Sequence, residues 1–351
     1  MQSNPAQPAG GTRPAGGTRP TGNTRPTAVI ATGGTIAMAL DPVTGIRRPA
    51  LSGADLASAI TSIDVPLAHF QPYTIASENA TYEHWLTLVR EIQRVSTNHT
   101  GVVVMHGTDT MEEAAYFVNE CLPYTTVTFC GAMRPPGSLD QDGGHNLRDA
   151  ITVARSPDAA DLGTIVVMNH EVLPAWDVVK ADSVALHAFT TRHGTRIATV
   201  HDRQLRMLTR PLTFNHLGQT PASAPDPETV AYVRMTGSPG PRRFAATISG
   251  AAGIVVDALG AGTVPDPIRR ELLAAAAAGV HVVLTTRTSS GPVRDEETYP
   301  HAWDDLLEAG VLVEKRLDGP RARIRLLLSL TLGRAYQPLS YEPLRDTPAP
   351  A

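Results

Sequence analysis

The chain is poor in cysteine, in charge of one sign and in long apolar runs, and each shortage removes a class of protein. Two cysteines, Cys121 and Cys130, are too few for a disulfide framework. A net charge of −4, with no basic stripe beyond the N-terminal residues, offers nothing to hold a polyanion, so no nucleic-acid partner is expected. No stretch approaches the ~20 apolar residues of a membrane span, and no membrane is expected either. The twelve histidines show neither HExxH spacing nor a Cys/His cluster, which speaks against a metal. Neither a P-loop nor a GxGxxG turn occurs, and no cofactor is expected. Without a GxSxG elbow a Ser-His-Asp hydrolase has no support.

What remains is a chain of 351 residues, 42% hydrophobic, long enough for two domains. Its first 26 residues repeat GGTRP, GGTRP and GNTRP and hold too little apolar surface to offset the entropy of ordering, so 1–26 reads as a disordered low-complexity tail. The tail has no apolar h-region, which sets a cytoplasmic location as the default expectation.

From residue 27 short β-branched runs alternate with amphipathic stretches. AVIA (28–31), VVVMH (102–106), VTFC (127–130) and TIVVM (164–168) read as strands covered on both faces. Helical patterns lie at 81–95, 110–122 and 144–155. This alternation predicts βαβ units: an α/β fold with a larger N-terminal domain over 27–209, its mostly parallel sheet flanked by helices. A proline-rich, aperiodic stretch at 210–229 reads as a linker. A smaller C-terminal α/β domain follows at 230–351, with strand patterns at 231–235, 253–259 and 281–286 and helices near 265–279 and 321–330.

Open parallel sheets bind ligands beyond the carboxyl ends of their strands. Three loops at such ends carry hydroxyls, small residues or a carboxylate: TGGTIA (32–37), GTDTMEE (107–113) and GAMRPPGS (131–138). Taken alone, TGGTIA is equally a capped glycine turn, a phosphate cradle without its lysine, or a nucleophile loop awaiting a base. In GTDT, Asp109 is equally a helix cap. His106 is expected to pack beneath its loop, and Trp85, Trp176 and Met133 to be core or interface residues.

Taken in order, TGGTIA and HGTDTMEEAAYF make the chain resemble the bacterial-type L-asparaginase family, which includes asparaginase-glutaminases. The resemblance continues through GAMRP, DGGHNL, VVMNHEVLPAWDVVKADS and RTSSGPVRDEE, over residues 27 to 335. It implies that Thr35 is the nucleophile and that Thr108, Asp109 and Lys180 form a second catalytic set. It also implies that Ser77, Glu78 and Asp109 hold the charged end of the substrate, that the Ala132 backbone faces the substrate amide, and that Glu297 is given to a neighbouring subunit's site. Glu296, one residue away, competes for that last alignment. The implied activity is hydrolysis of L-asparagine to L-aspartate and ammonia with minor glutaminase activity, by a homotetramer whose sites are completed across an intimate dimer. The chemistry is consistent with this set, since an amide needs an activated hydroxyl, a base and N–H donors for the oxyanion.

Relatives carry a tyrosine on the lid after TGGTIA. The corresponding stretch here, 37–53, has none, and Ile46, Arg47 or Arg48 stands in its place. The alternatives are therefore a weakly active or inactive protein of this fold that binds an acidic amino acid, or an amidase for a related amide.

Overall fold

The computed structural model describes residues 25–40, 44, 47–49, 65–210, 213–291, 293, 294 and 299–341. All but the last two residues of the expected tail, together with Ile46, Glu296 and Glu297, lie outside these.

The first half of the chain contributes β1 (Thr27–Ala31), a small hairpin of β2 (Met38–Leu40) and β3 (Arg47–Pro49), β4 (Leu67–Phe70), β5 (Val102–Met105), β6 (Val127–Cys130) and β7 (Thr164–Met168). Then follow β8 (Glu171–Pro174), a second hairpin of β9 (Val178–Lys180) and β10 (Phe189–Thr191), β11 (Ala198–His201) and β12 (Gln204–Met207). Helices α1 (Tyr82–Ser96), α2 (Met111–Cys121) and α3 (Gly143–Arg155) connect them. In space β4, β1, β5, β6 and β7 run parallel, and β8, β11 and β12 extend the sheet antiparallel.

Burial on both faces explains the unbroken apolar runs. On β1, Ala28 and Ile30 join the core beneath α1 and α2, while Val29 joins the core beneath α3. On β5, Val102 and Val104 face one way, Val103 and Met105 the other. The antiparallel strands were not anticipated from sequence. EVLP, ATVH and QLRM are short and half polar, and their hairpin turns use Asn169–His170 and Asp202–Arg203 in the left-handed region rather than a glycine.

The second half builds a fully parallel sheet of β13 (Val230–Arg234), β14 (Gly253–Ala258), β15 (His281–Thr286) and β16 (Leu312–Val313). One face is covered by α4 (Pro241–Ile248), α5 (Asp266–Ala277) and α6 (Asp304–Glu308). The other face carries α7 (Gly319–Thr331), which also packs on α2 of the first half. Between the halves, residues 213–229 lie along the first: Leu217 N–H donates to Glu120 (2.9 Å), Gln93 to Thr220 (3.1 Å) and Arg90 to the Ala222 carbonyl (2.6 Å).

One feature of the larger sheet positions a site. The chain leaves β1 for β4 on one side and returns to β5 on the other, so strand order reverses between β1 and β5. Helices and loops diverge at such a reversal and leave a crevice at the carboxyl ends.

Candidate active site

TGGT and HGTDT emerge from the two strands flanking that crevice. Thr32 anchors the first loop, its N–H and its hydroxyl both donating to the Met105 carbonyl at 3.0 and 2.9 Å. Gly34 has φ +81°, and a Cβ there would sit 2.2 Å from the Cα of Gly107. A Cβ on Gly107 would in turn meet the Ser77 Oγ at 2.5 Å. Glycine is required because the first two loops touch backbone to backbone and the Ser77 side chain fills the space beside Gly107. Thr35, half-buried, opens the 3₁₀ turn Thr35–Ala37 directly after this contact.

A third loop enters through the 3₁₀ turn Ser77–Asn79, where Ser77 is buried and Glu78 exposed. The Thr110 hydroxyl donates to the Ser77 carbonyl at 2.9 Å, tying this turn to the start of α2. Thr110 is the residue that precedes α2, so Asp109 does not cap it, and its carboxylate points elsewhere.

That carboxylate meets Lys180. The Lys180 Nζ donates to the Asp109 Oδ1 at 2.5 Å and to the Thr108 Oγ1 at 2.9 Å. Thr108 is buried, the Lys180 side chain is 16% exposed and that of Asp109 is 61% exposed. A buried hydroxyl therefore faces an amine, while the carboxylate has free surface for a second cation. Lys180 is the last residue of β9 and is held by its pairing with Phe189 on β10.

Ala132 is buried in the loop after β6. Asp142, at the N-terminus of α3, accepts the N–H groups of Met133 (3.1 Å) and Arg134 (2.9 Å). Asn146 donates to the Gly131 carbonyl (3.0 Å) and accepts the Asn169 N–H (3.0 Å), fixing the loop from below. His106 is buried, and its Nδ1 lies 2.8 Å from the Gly107 carbonyl. Burial pushes its pKa down to about 4, so it is a neutral packing residue beneath the loop. Trp85 and Trp176 are core residues and Met133 packs against the core.

The geometry thus gathers Thr35, Ser77, Glu78, Thr108, Asp109 and Ala132 on loops that touch or are braced together at the carboxyl ends of the large sheet, and Lys180 reaches Thr108 and Asp109 from the end of β9. It adds Asp142 and Asn146, which the DGGHNL motif contained without a stated role. It also adds Glu112, whose carboxylate accepts the Lys180 backbone N–H at 2.6 Å. One composition signal was available for the amine: of thirty basic residues only Lys180 and Lys315 are lysines. Among the described residues no group of three or more His, Cys, Asp or Glu is disposed to hold a metal ion, and no helix is long and apolar enough to cross a membrane.

Comparison with known proteins converges on one family. The family model described as "Asparaginase, N-terminal" matches residues 27–213, and "Glutaminase/Asparaginase C-terminal domain" matches 229–339. The probable L-asparaginase of Deinococcus radiodurans is 32% identical over 87% of this chain and 93% of its own length. An L-asparaginase of Bacillus licheniformis is 31% identical over 86% and 94%. The crystal structure of the probable cytoplasmic L-asparaginase from Campylobacter jejuni superposes with a TM-score of 0.75 at 28% identity, covering 88% of this chain and 95% of that one.

Proposed function

Because the chain belongs to the bacterial-type asparaginase family of amidohydrolases, we propose that it hydrolyses the side-chain amide of L-asparagine to L-aspartate and ammonia through an acyl-enzyme on Thr35. The observation that carries this reading is the Lys180 amine within hydrogen-bonding distance of both Thr108 and Asp109, beside the TGGT loop.

In the proposed sequence, the Thr35 hydroxyl attacks the amide carbon and backbone N–H groups of the surrounding loops stabilise the oxyanion. The C–N bond breaks as the nitrogen takes a proton, ammonia leaves, and the β-aspartyl ester remains on Thr35. Water then adds to that ester, its proton drawn off by the Thr108–Lys180 pair, and aspartate departs with Thr35 restored. Ser77 and Glu78 hold the α-carboxylate and α-ammonium, with Asp109 facing the ammonium. Two proposals follow from the family for the rest: a homotetramer in which Glu297 completes a neighbour's site, and a division into domains at 27–209 and 230–351. A cytoplasmic location is proposed with them.

The lid without tyrosine favours a second reading, binding of an acidic amino acid with little turnover. Ammonia release from asparagine, measured beside calorimetric binding of aspartate, separates the two. Turnover that disappears in Thr35→Ala supports hydrolysis, whereas aspartate binding with no ammonia release selects the binding protein.

A further inference from the structure

The strand that carries Lys180 is held by a charged pair the proposed reaction does not use. The Glu112 Oε2, in the first turn of α2, accepts the Lys180 backbone N–H at 2.6 Å. The Arg321 guanidinium, from α7 beneath the smaller sheet, lies 4.0 Å from that same oxygen. Arg321 is 1% exposed, and it donates to the carbonyls of Ala175 (3.3 Å) and Val178 and to the Asp318 carboxylate. Residues 175–180 are thus gripped at two carbonyls and one N–H by one carboxylate and one guanidinium. The helix that supplies the guanidinium belongs to the other half of the chain.

A half-buried carboxyl needs a reason to be there. Burial pushes Glu112 above the ordinary carboxylate range against the pull of Arg321, and Glu113 beside it is raised by burial as well. The groups facing Glu112 are Arg321 from α7, Asp318 at the N-cap of α7, Lys180 from β9 and Glu113 from its own helix. Its short bond is to the backbone of the lysine, while the lysine amine is engaged by Thr108 and Asp109.

We propose that Glu112 is a positioning residue for Lys180, acting through its acceptor oxygen, and that Arg321 extends this seat to the smaller sheet. The proposal deepens the amidohydrolase reading and rests on it. Losing the Glu112 bond releases the end of β9 and misplaces Nζ relative to the Thr108 hydroxyl, so the loss falls on turnover rather than on substrate binding.

Two conservative variants of the full chain separate the acceptor from the charge. Glu112→Gln keeps an acceptor at the same reach, and Glu112→Asp keeps the charge but draws it back by one methylene. Kinetics with asparagine are measured for both. The rates at which Lys180 and the exposed Lys315 react with acetic anhydride are read in the same molecules by mass spectrometry; with only two lysines, Lys315 is the internal reference. Glu112→Asp is expected to lower kcat about tenfold with KM within about twofold, and Glu112→Gln to stay within about threefold of the parent. The Lys180 to Lys315 labelling ratio is expected to change about threefold or more in Glu112→Asp and to hold in Glu112→Gln. Both variants matching the parent in rate and ratio, or Gln impaired while Asp is not, overturns the proposal. If the parent releases no ammonia, the amidohydrolase reading falls while the labelling ratio still decides the role of Glu112.

Discussion

At the scale of single residues, the site pairs a hydroxyl and an amine that are weak reagents apart. Thr108 is buried, and its Oγ1 sits 2.9 Å from a lysine whose other partner is a carboxylate. Groups that act as one unit lose their function together. Thr108→Ala and Lys180→Met are each expected to lower kcat on the order of 10²-fold, with the double variant little worse than either. Multiplicative losses in the double variant, or near-parental rates in both singles, would refute the pairing. Most of these residues were legible beforehand because hydroxyl, carboxylate and amine chemistry sits in short local motifs. Glu112 and Asn146 were not, because a carboxyl or an amide near a helix start looks the same whether it caps, solvates or bridges to a distant loop.

At the scale of elements, the crevice exists because glycines let three loops approach closely. Gly34 is one of the tight points, with φ +81° and a would-be Cβ 2.2 Å from the Gly107 Cα. Gly34→Ala therefore adds a backbone clash to a strained dihedral. It is expected to cost roughly 1–3 kcal/mol of stability and to lower turnover more than a surface Gly→Ala does. Thermal melting beside the kinetics checks this, and a variant equal to the parent in both would mean that TGGT does not lie against HGT. The buried parallel strands and the long helices were readable as elements from their periods. The half-polar antiparallel strands and their non-glycine turns carry no comparable local signal.

At the scale of the whole molecule, the two halves are clasped by a buried cluster. Arg325 of α7 donates to both oxygens of Glu120 on α2 at 2.7 and 2.9 Å. Tyr116 (2.6 Å), His216 (3.1 Å) and the Leu217 N–H (2.9 Å) complete the carboxylate's shell. Burial pushes the Glu120 carboxyl up, but Arg325 and His216 outweigh it and hold the group at about 2, below its ordinary 4.5. Its contribution to stability is complete above pH 4.5 and is lost as pH falls toward 2. His106, pushed from 6.5 to about 4 by burial, works in the same direction at higher pH: the unfolded chain takes up this proton first, so stability falls between pH 6.5 and 4. The His106 share is on the order of 3 kcal/mol. Urea unfolding as a function of pH is expected to show both limbs, with His106→Gln flattening the upper one alone. Stability constant from pH 7 to 4 would contradict the buried, neutral histidine.

The amino-acid sequence by itself determined the α/β class, the alternation of buried strands with amphipathic helices, the family and the motifs that carry hydroxyl, carboxylate and amine. These are properties of short windows, set by side-chain period and chemical type. Tertiary structure decided the rest: that strand order reverses between β1 and β5 and opens the crevice there, and that Asp109 turns to Lys180 rather than capping α2. It also decided that Arg321, 146 residues from the Ala175 carbonyl it reaches, is buried, as is Arg325 on the same helix. Those outcomes depend on which surfaces meet across long stretches of chain, and burial of an arginine or a carboxyl becomes tolerable only where packing delivers its partner from the other half of the molecule.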